Sequence, residues 1–253
     1  MATARAILRL CRFPALAGRR RVFPAATDRR CGARSSAYFF RSDTSSRRAF
    51  TRASAELTHT DPRAVEAALV VAEAASLAAN RTPTAQALPA LEAFAESREM
   101  QARFKALRAS LDEQQSVEEF AIAIGCGDQV SGFAPNSAAL ALYAWLRHRG
   151  DFASAIAEVV RAGGDTDTGA AIAGGICGAE VGAPGIPHAW VERIADWPLS
   201  VGALRDLAER LSMEVGGRKS SFGDLRFFAA PMRNLLFLAI ILFHGFRRLL
   251  PPY

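Results

Sequence analysis

Two aspartates and two threonines alternate at Asp165-Thr166-Asp167-Thr168, directly behind Gly163-Gly164 and directly ahead of Gly169-Ala170-Ala171-Ile172-Ala173-Gly174-Gly175. In an extended or turn-like segment, carboxylates two residues apart point to the same side and repel one another unless a cation lies between them. A hard divalent ion suits such a pair. Mg²⁺ takes oxygen ligands and is commonly held by one or two carboxylates, with water and substrate oxygens completing the shell. Thr168 offers a third oxygen near the start of the next helix. The same residue types also serve a simpler purpose, because Asp and Thr are favoured helix N-caps and a Gly-Gly-Asp loop needs no metal to open a helix.

The residues behind the motif bear on that choice. Gly174, Gly175 and Gly178 sit among Ala170, Ala171, Ala173 and Ala179, and each interior glycine costs a helix about 1 kcal/mol against alanine. A sequence that carries this cost reads as a buried central helix admitting a close neighbour, with the acidic loop at its mouth. An EF-hand would need a longer acidic loop closed by a distant Glu, which nothing after Gly169 supplies. An Asp-x-Asp phosphotransferase would need a strand before the motif, whereas Asp151 to Ala162 reads as a helix.

The elements that must position the motif are helical. Asp61-Pro62 supplies an N-cap and a first-turn proline for a helix to about Ala79. Thr82 to Pro89 reads as a proline-bearing linker, followed by a helix from about Ala90 to Ala109. Ser116-Val117-Glu118-Glu119 has capping-box spacing ahead of Phe120 to Ile124. Gly125 to Pro135 is a glycine-rich loop, and Asn136 is placed to cap Ser137 to Arg147. Asp151 caps the helix that reaches Ala162, and Leu199 to Met213 is a further helix. No segment alternates with a strand's period of two. The expected fold class is all-α.

Several segments in order resemble the ADP-ribosylglycohydrolase family, which includes dinitrogenase-reductase-activating glycohydrolases and J-crystallin relatives. They are Glu56-Leu57-Thr58-His59-Thr60-Asp61-Pro62, Gly125 to Tyr143, Gly163 to Ala179, Gly185-Ile186-Pro187, Trp190 and Asp196-Trp197-Pro198. The resemblance covers roughly residues 34–197. It implies a compact helical domain that hydrolyses the N- or O-glycosidic bond between ADP-ribose and a protein side chain or small molecule. It implies two Mg²⁺ ions, with Asp165, Asp167 and Thr168 as ligands from this part of the chain, and His59 and Gly164 near the substrate. The family's other ligands, in a Gly-Asp-x-x-Gly segment and a Thr-Asp-Asp-Thr-like cluster, have no match in Met1 to Phe50, nor does its Gly-Asn-Gly loop. The expectation is therefore a domain lacking its N-terminal helices, with at most a partial metal site and no assigned catalytic residue. The alternative is a truncated, inactive member acting at most as an ADP-ribose- or Mg²⁺-binding module.

Composition sets wider bounds. The 253 residues are 50% hydrophobic and 22% charged, enough for one substantial core. The formal charge of +6 is uneven: nine arginines and one acid, Asp28, lie between Met1 and Arg34. The basic excess thus argues weakly for nucleic acid, and none is expected as a partner. Residues 1–33 read as a basic leader or an artefactual start, 34–215 as the helical domain and 216–253 as a tail with a short apolar helix. An Arg-rich leader admits a mitochondrial presequence, although a cytoplasmic location is the first expectation. Cys11, Cys31, Cys126 and Cys177 have no metal-ligand spacing, and Cys177 reads as a small buried hydrophobe. Leu235 to Phe243 is too short to span a bilayer. It reads as a short helix packed on the body, with peripheral membrane contact left open by its basic flanks.

Overall fold

The computed structural model describes residues 43–126, 132–195, 200–215 and 226–249, and every regular element among them is helical. The leader and the Asp196-Trp197-Pro198 motif lie outside the described residues. The chain forms two compact units that divide between Pro187 and His188.

The first unit contains α1 (Thr44–Glu56), α2 (Pro62–Ala79), α3 (Thr84–Glu92), α4 (Arg98–Asp112), α5 (Val117–Ala123), α6 (Ala134–Arg147), α7 (Phe152–Arg161) and α8 (Thr166–Val181), then a 3₁₀ turn at Ala183–Gly185. The helix starts follow local chemistry. The Asp61 and Asp151 side chains accept from the backbone N–H groups of Arg63 and Ser154, as N-caps do. Ser116 and Glu119 form the reciprocal capping box.

Three expectations change. Thr84–Glu92 is a helix despite Pro89 in its interior, not a linker. The proline removes a backbone hydrogen bond. Burial of Ala87, Leu88 and Leu91 offsets that loss, at about 1.5–3 kcal/mol for each leucine. The helix expected over 90–109 is two helices, because Ser97 caps Met100 and opens α4 anew. Asn136 lies within α6 and does not start it: its Oδ1 accepts from Arg103 Nε at 2.7 Å, and Phe133 holds the N-cap position.

The central helix is α6, not α8. All residues from Pro135 to Leu146 are buried, and α2, α4, α5, α7 and α8 pack around it. Its polar side chains are matched inside: Tyr143 Oη donates to the Gln115 carbonyl at 2.6 Å and Trp145 Nε1 to Glu180 Oε2 at 2.8 Å. Burial pushes the Tyr143 hydroxyl up to about 12. By contrast, α8 buries one stripe, Gly169, Ala173, Ile176 and Cys177. Burial also pushes the Cys177 thiol up to about 12, as suits a small apolar filler. The glycines of α8 do admit a neighbour, but what approaches is side chain. A methyl at Gly174 would meet Ile156 at 3.5 Å, and one at Gly178 would meet Phe152 at 3.8 Å.

Two buried carboxylates on α2 lock the periphery. Glu73 accepts from Arg47 of α1 through Nε at 3.1 Å and Nη2 at 2.5 Å. Glu66 accepts from the backbone N–H groups of Glu96 and Ser97 at 2.5 and 2.8 Å, fixing the entry to α4. At the far end of α6, Arg149 lies over the Trp145 ring, donates to Glu180 of α8 and reaches the Thr82 carbonyl.

The second unit contains α9 (His188–Glu192), α10 (Val201–Val215) and α11 (Arg226–Leu249). The expected short apolar helix is a 24-residue one. Along it, Leu235 is 61% exposed and Phe243 66%. No described helix is long and apolar enough to cross a membrane.

Gly178→Ala should raise the melting temperature, because the methyl fits in ordinary contact and the helix gains about 1 kcal/mol. Gly185→Ala should lower it, since its Cβ would fall 2.4 Å from Val181 Cβ. Thermal melts of the two variants decide the matter. The Asp151 cap also carries a pH signature. Its hydrogen bonds from Ser154 hold the carboxyl below the ordinary 3.8, so the stability it adds is complete above that value. The stability gap between wild type and Asp151→Ala should shrink as pH falls through the lower folded value.

Candidate metal-binding loop

The acidic loop is shaped first by its glycines. Gly163 and Gly164 have φ of +74° and +75°, successive left-handed positions that only glycine adopts without strain. The Gly164 carbonyl then accepts from Thr166 N–H at 2.8 Å, which closes a tight turn into α8. Asp165 takes the N-cap position, with its own carbonyl bonded to Gly169 N–H at 3.0 Å.

What the Asp165 side chain does there bears on the capping reading of the motif. The carboxylates of Asp43, Asp61 and Asp151 each accept a backbone N–H of the helix they open. Asp165 makes no such side-chain bond. Its carboxylate lies within hydrogen-bonding reach of Asp167 instead, and the contact with Asp165 is the first cause holding Asp167 below the ordinary aspartate range. The Thr168 backbone N–H, bonded to Asp167 Oδ1 at 3.0 Å, is the second. No ion pair to Arg, Lys or His engages either carboxylate among the described residues. Two adjoining carboxylates are the kind of hard oxygen donors that suit Mg²⁺.

The loop sits where several helices begin. A Cβ at Gly132 would lie 3.1 Å from Asp165 Oδ2, so backbone just ahead of α6 abuts the carboxylate. The Arg63 guanidinium at the start of α2 lies 5.1 Å from the next ring, Phe133. It also reaches Glu99 in the first turn of α4 at 3.4 Å. Gly169 faces Leu140 while Glu180 meets Trp145, so α6 and α8 run the same way and their starts share one end.

Of the other sequence-chosen residues, Gly164 belongs to this loop and is exposed. His59 lies in the turn between α1 and α2, exposed, with Nδ1 2.8 Å from Thr58 Oγ1. Among the described residues no hydrogen bond or ion pair joins it to the acidic loop. Sequence reading did not single out Gly132 or Arg63. The only signal for Gly132 was its glycine-rich loop, and nothing local marks Arg63.

A family model of ADP-ribosylglycohydrolase matches residues 3–221. The chain belongs to the ADP-ribosylglycohydrolase family. The match runs beyond both ends of the 34–197 stretch that carries the sequence signature, and it places the chain with hydrolases of the ADP-ribosylglycohydrolase type. The family is generally metal-dependent and acts on ADP-ribosylated substrates. The all-helical architecture agrees with that membership. No curated protein matches the chain.

Because its side chain does not cap α8, Asp165 should be dispensable for folding. In metal-free buffer, Asp165→Asn should melt close to the wild-type temperature, since the amide can still hydrogen-bond to Asp167. Asp61→Ala, which removes a true cap, should lower the melting temperature. Side-by-side melts in chelator measure both.

Proposed function

We propose that the loop Gly163–Thr168 is the metal-binding wall of an ADP-ribosyl hydrolase site, with Mg²⁺ as the ion. The observation that carries this reading is the Asp165 carboxylate, which occupies an N-cap position without capping and faces Asp167 instead. The reaction class is hydrolysis of the bond between the anomeric carbon of ADP-ribose and a nitrogen or oxygen. Water supplies hydroxyl to that carbon, and the departing atom takes up a proton. A bound Mg²⁺ would orient ribose hydroxyls and stabilise charge as the bond breaks.

The chain's own groups have separable tasks in this scheme. Asp165 and Asp167 supply the negative oxygens, and Thr168 a neutral one. Gly163 and Gly164 present backbone without side chains, which leaves room for a sugar to lie against the loop. The converging starts of α6 and α8 turn their positive dipole ends toward the same region, which favours the substrate's diphosphate. His59, on the turn before α2, is a substrate-contacting residue in this reading. The substrate is an ADP-ribosylated protein or a small ADP-ribosyl compound.

A second reading stands beside it. Among the described residues no group of three or more His, Cys, Asp or Glu converges on one point. The alternative is a non-catalytic module that binds Mg²⁺ or ADP-ribose through this loop alone. The two readings part in one experiment. The hydrolase reading predicts release of ADP-ribose from ADP-ribosylated protein in Mg²⁺, lost in chelator and reduced at least 100-fold in Asp165→Asn, on the order of a metal-ligand effect. Release no faster than in Asp165→Asn overturns that reading. In such a case, Mg²⁺ raising the wild-type melting temperature but not that of Asp165→Asn would identify the binding module. No shift in either protein would remove the metal site altogether.

A further inference from the structure

The helix Arg226–Leu249 lies outside everything the acidic loop explains. Over its residues 231–248 the arrangement of side chains is two-faced. At 3.6 residues per turn, Arg233, Asn234, His244, Arg247 and Arg248 fall within an arc of about 140°, which they share with Phe237, Ile240 and Ile241. The remaining arc, about 220°, carries only apolar residues and glycine. Met232, Leu235, Leu236, Leu242, Phe243 and Phe246 lie on it, each 50–66% exposed. The helix contains no aspartate or glutamate anywhere along its length. Arg247 and Arg248 stand together in its last turn, and the Arg233 guanidinium lies 6.0 Å from the Phe237 ring.

A wide apolar face beside an arc whose only charged side chains are arginines matches one kind of surface, the boundary between anionic headgroups and acyl chains. A second copy of the helix fits worse, because pairing the apolar faces gathers arginines from both copies with no carboxylate from either helix. A spanning role is closed, since the helix is not apolar enough over bilayer length. We propose that Arg226–Leu249 is an interfacial anchor that lies in the plane of an anionic lipid surface. Its apolar face enters the acyl boundary, and Arg247 and Arg248 meet phosphate or carboxylate headgroups.

The test is vesicle co-sedimentation of the full chain, using phosphatidylcholine vesicles with and without phosphatidylserine. The wild-type chain should sediment with the mixed vesicles, and the bound fraction should fall as salt rises. Arg247→Ala with Arg248→Ala should weaken binding to the mixed vesicles by roughly 30-fold, about fivefold for each arginine near such a surface. The same pair should leave any binding to neutral vesicles unchanged. Leu236→Glu with Phe243→Glu should abolish binding to both vesicles while the circular dichroism stays helical. The proposal is overturned if wild type binds no vesicle, or if either double variant binds the mixed vesicles as wild type does. It is equally overturned by a dimer that Leu236→Glu with Phe243→Glu dissolves in the absence of any vesicle binding. That result would assign the face to a second copy of the chain.

Discussion

A helix buried on all its faces has to be surrounded, and α6 buries twelve of its fourteen residues. Such a helix has no wet side on which to leave polar groups, so each one needs a partner from a neighbour. Asn136 takes Arg103 from α4, Tyr143 takes the Gln115 carbonyl before α5, and Trp145 takes Glu180 from α8. These bonds fix the register of the surrounding helices along α6. With Leu140 against Gly169 and Trp145 against Glu180, α8 has no freedom to slide. The acidic loop is therefore held beside Gly132, where the loop before α6 ends. The position of the candidate site is a consequence of how the core is satisfied.

Local chemistry was readable from the chain and long-range chemistry was not. The Asp61, Asp151 and Ser116 caps could be found because each bonds within three residues of itself. The interior Pro89 misled because the decisive term, burial of Leu88 and Leu91, depends on what packs above them. Asn136 looked like a cap for the same reason, since its partner Arg103 lies 33 residues away. The glycine-rich run pointed to a close neighbour, and Phe152 and Ile156 of α7 provide it. It did not identify the central helix. A run of alanine, leucine and aromatic residues, buried all round, fills that place.

The site itself was half legible. Alternating Asp and Thr after paired glycines identified the loop, and the family match agrees with the signature drawn from it. Spacing alone did not distinguish a capping aspartate from a ligand, because both begin a helix with the same residue types. The distinction required seeing which backbone N–H groups the carboxylates of Asp43, Asp61, Asp151 and Asp165 reach. Three of the four cap and Asp165 does not. A carboxylate at a helix start that does not cap it, and meets a second carboxylate instead, is the observation on which the proposed metal-binding role rests.

Manganese titration followed by electron paramagnetic resonance tests this most directly, since Mn²⁺ shares the oxygen preference of Mg²⁺ and its sharp aqueous signal is lost on binding. The account predicts saturable loss of signal with wild type and none with Asp165→Asn combined with Asp167→Asn, both proteins remaining folded. Equal signal loss in the two, or none in wild type, would contradict it.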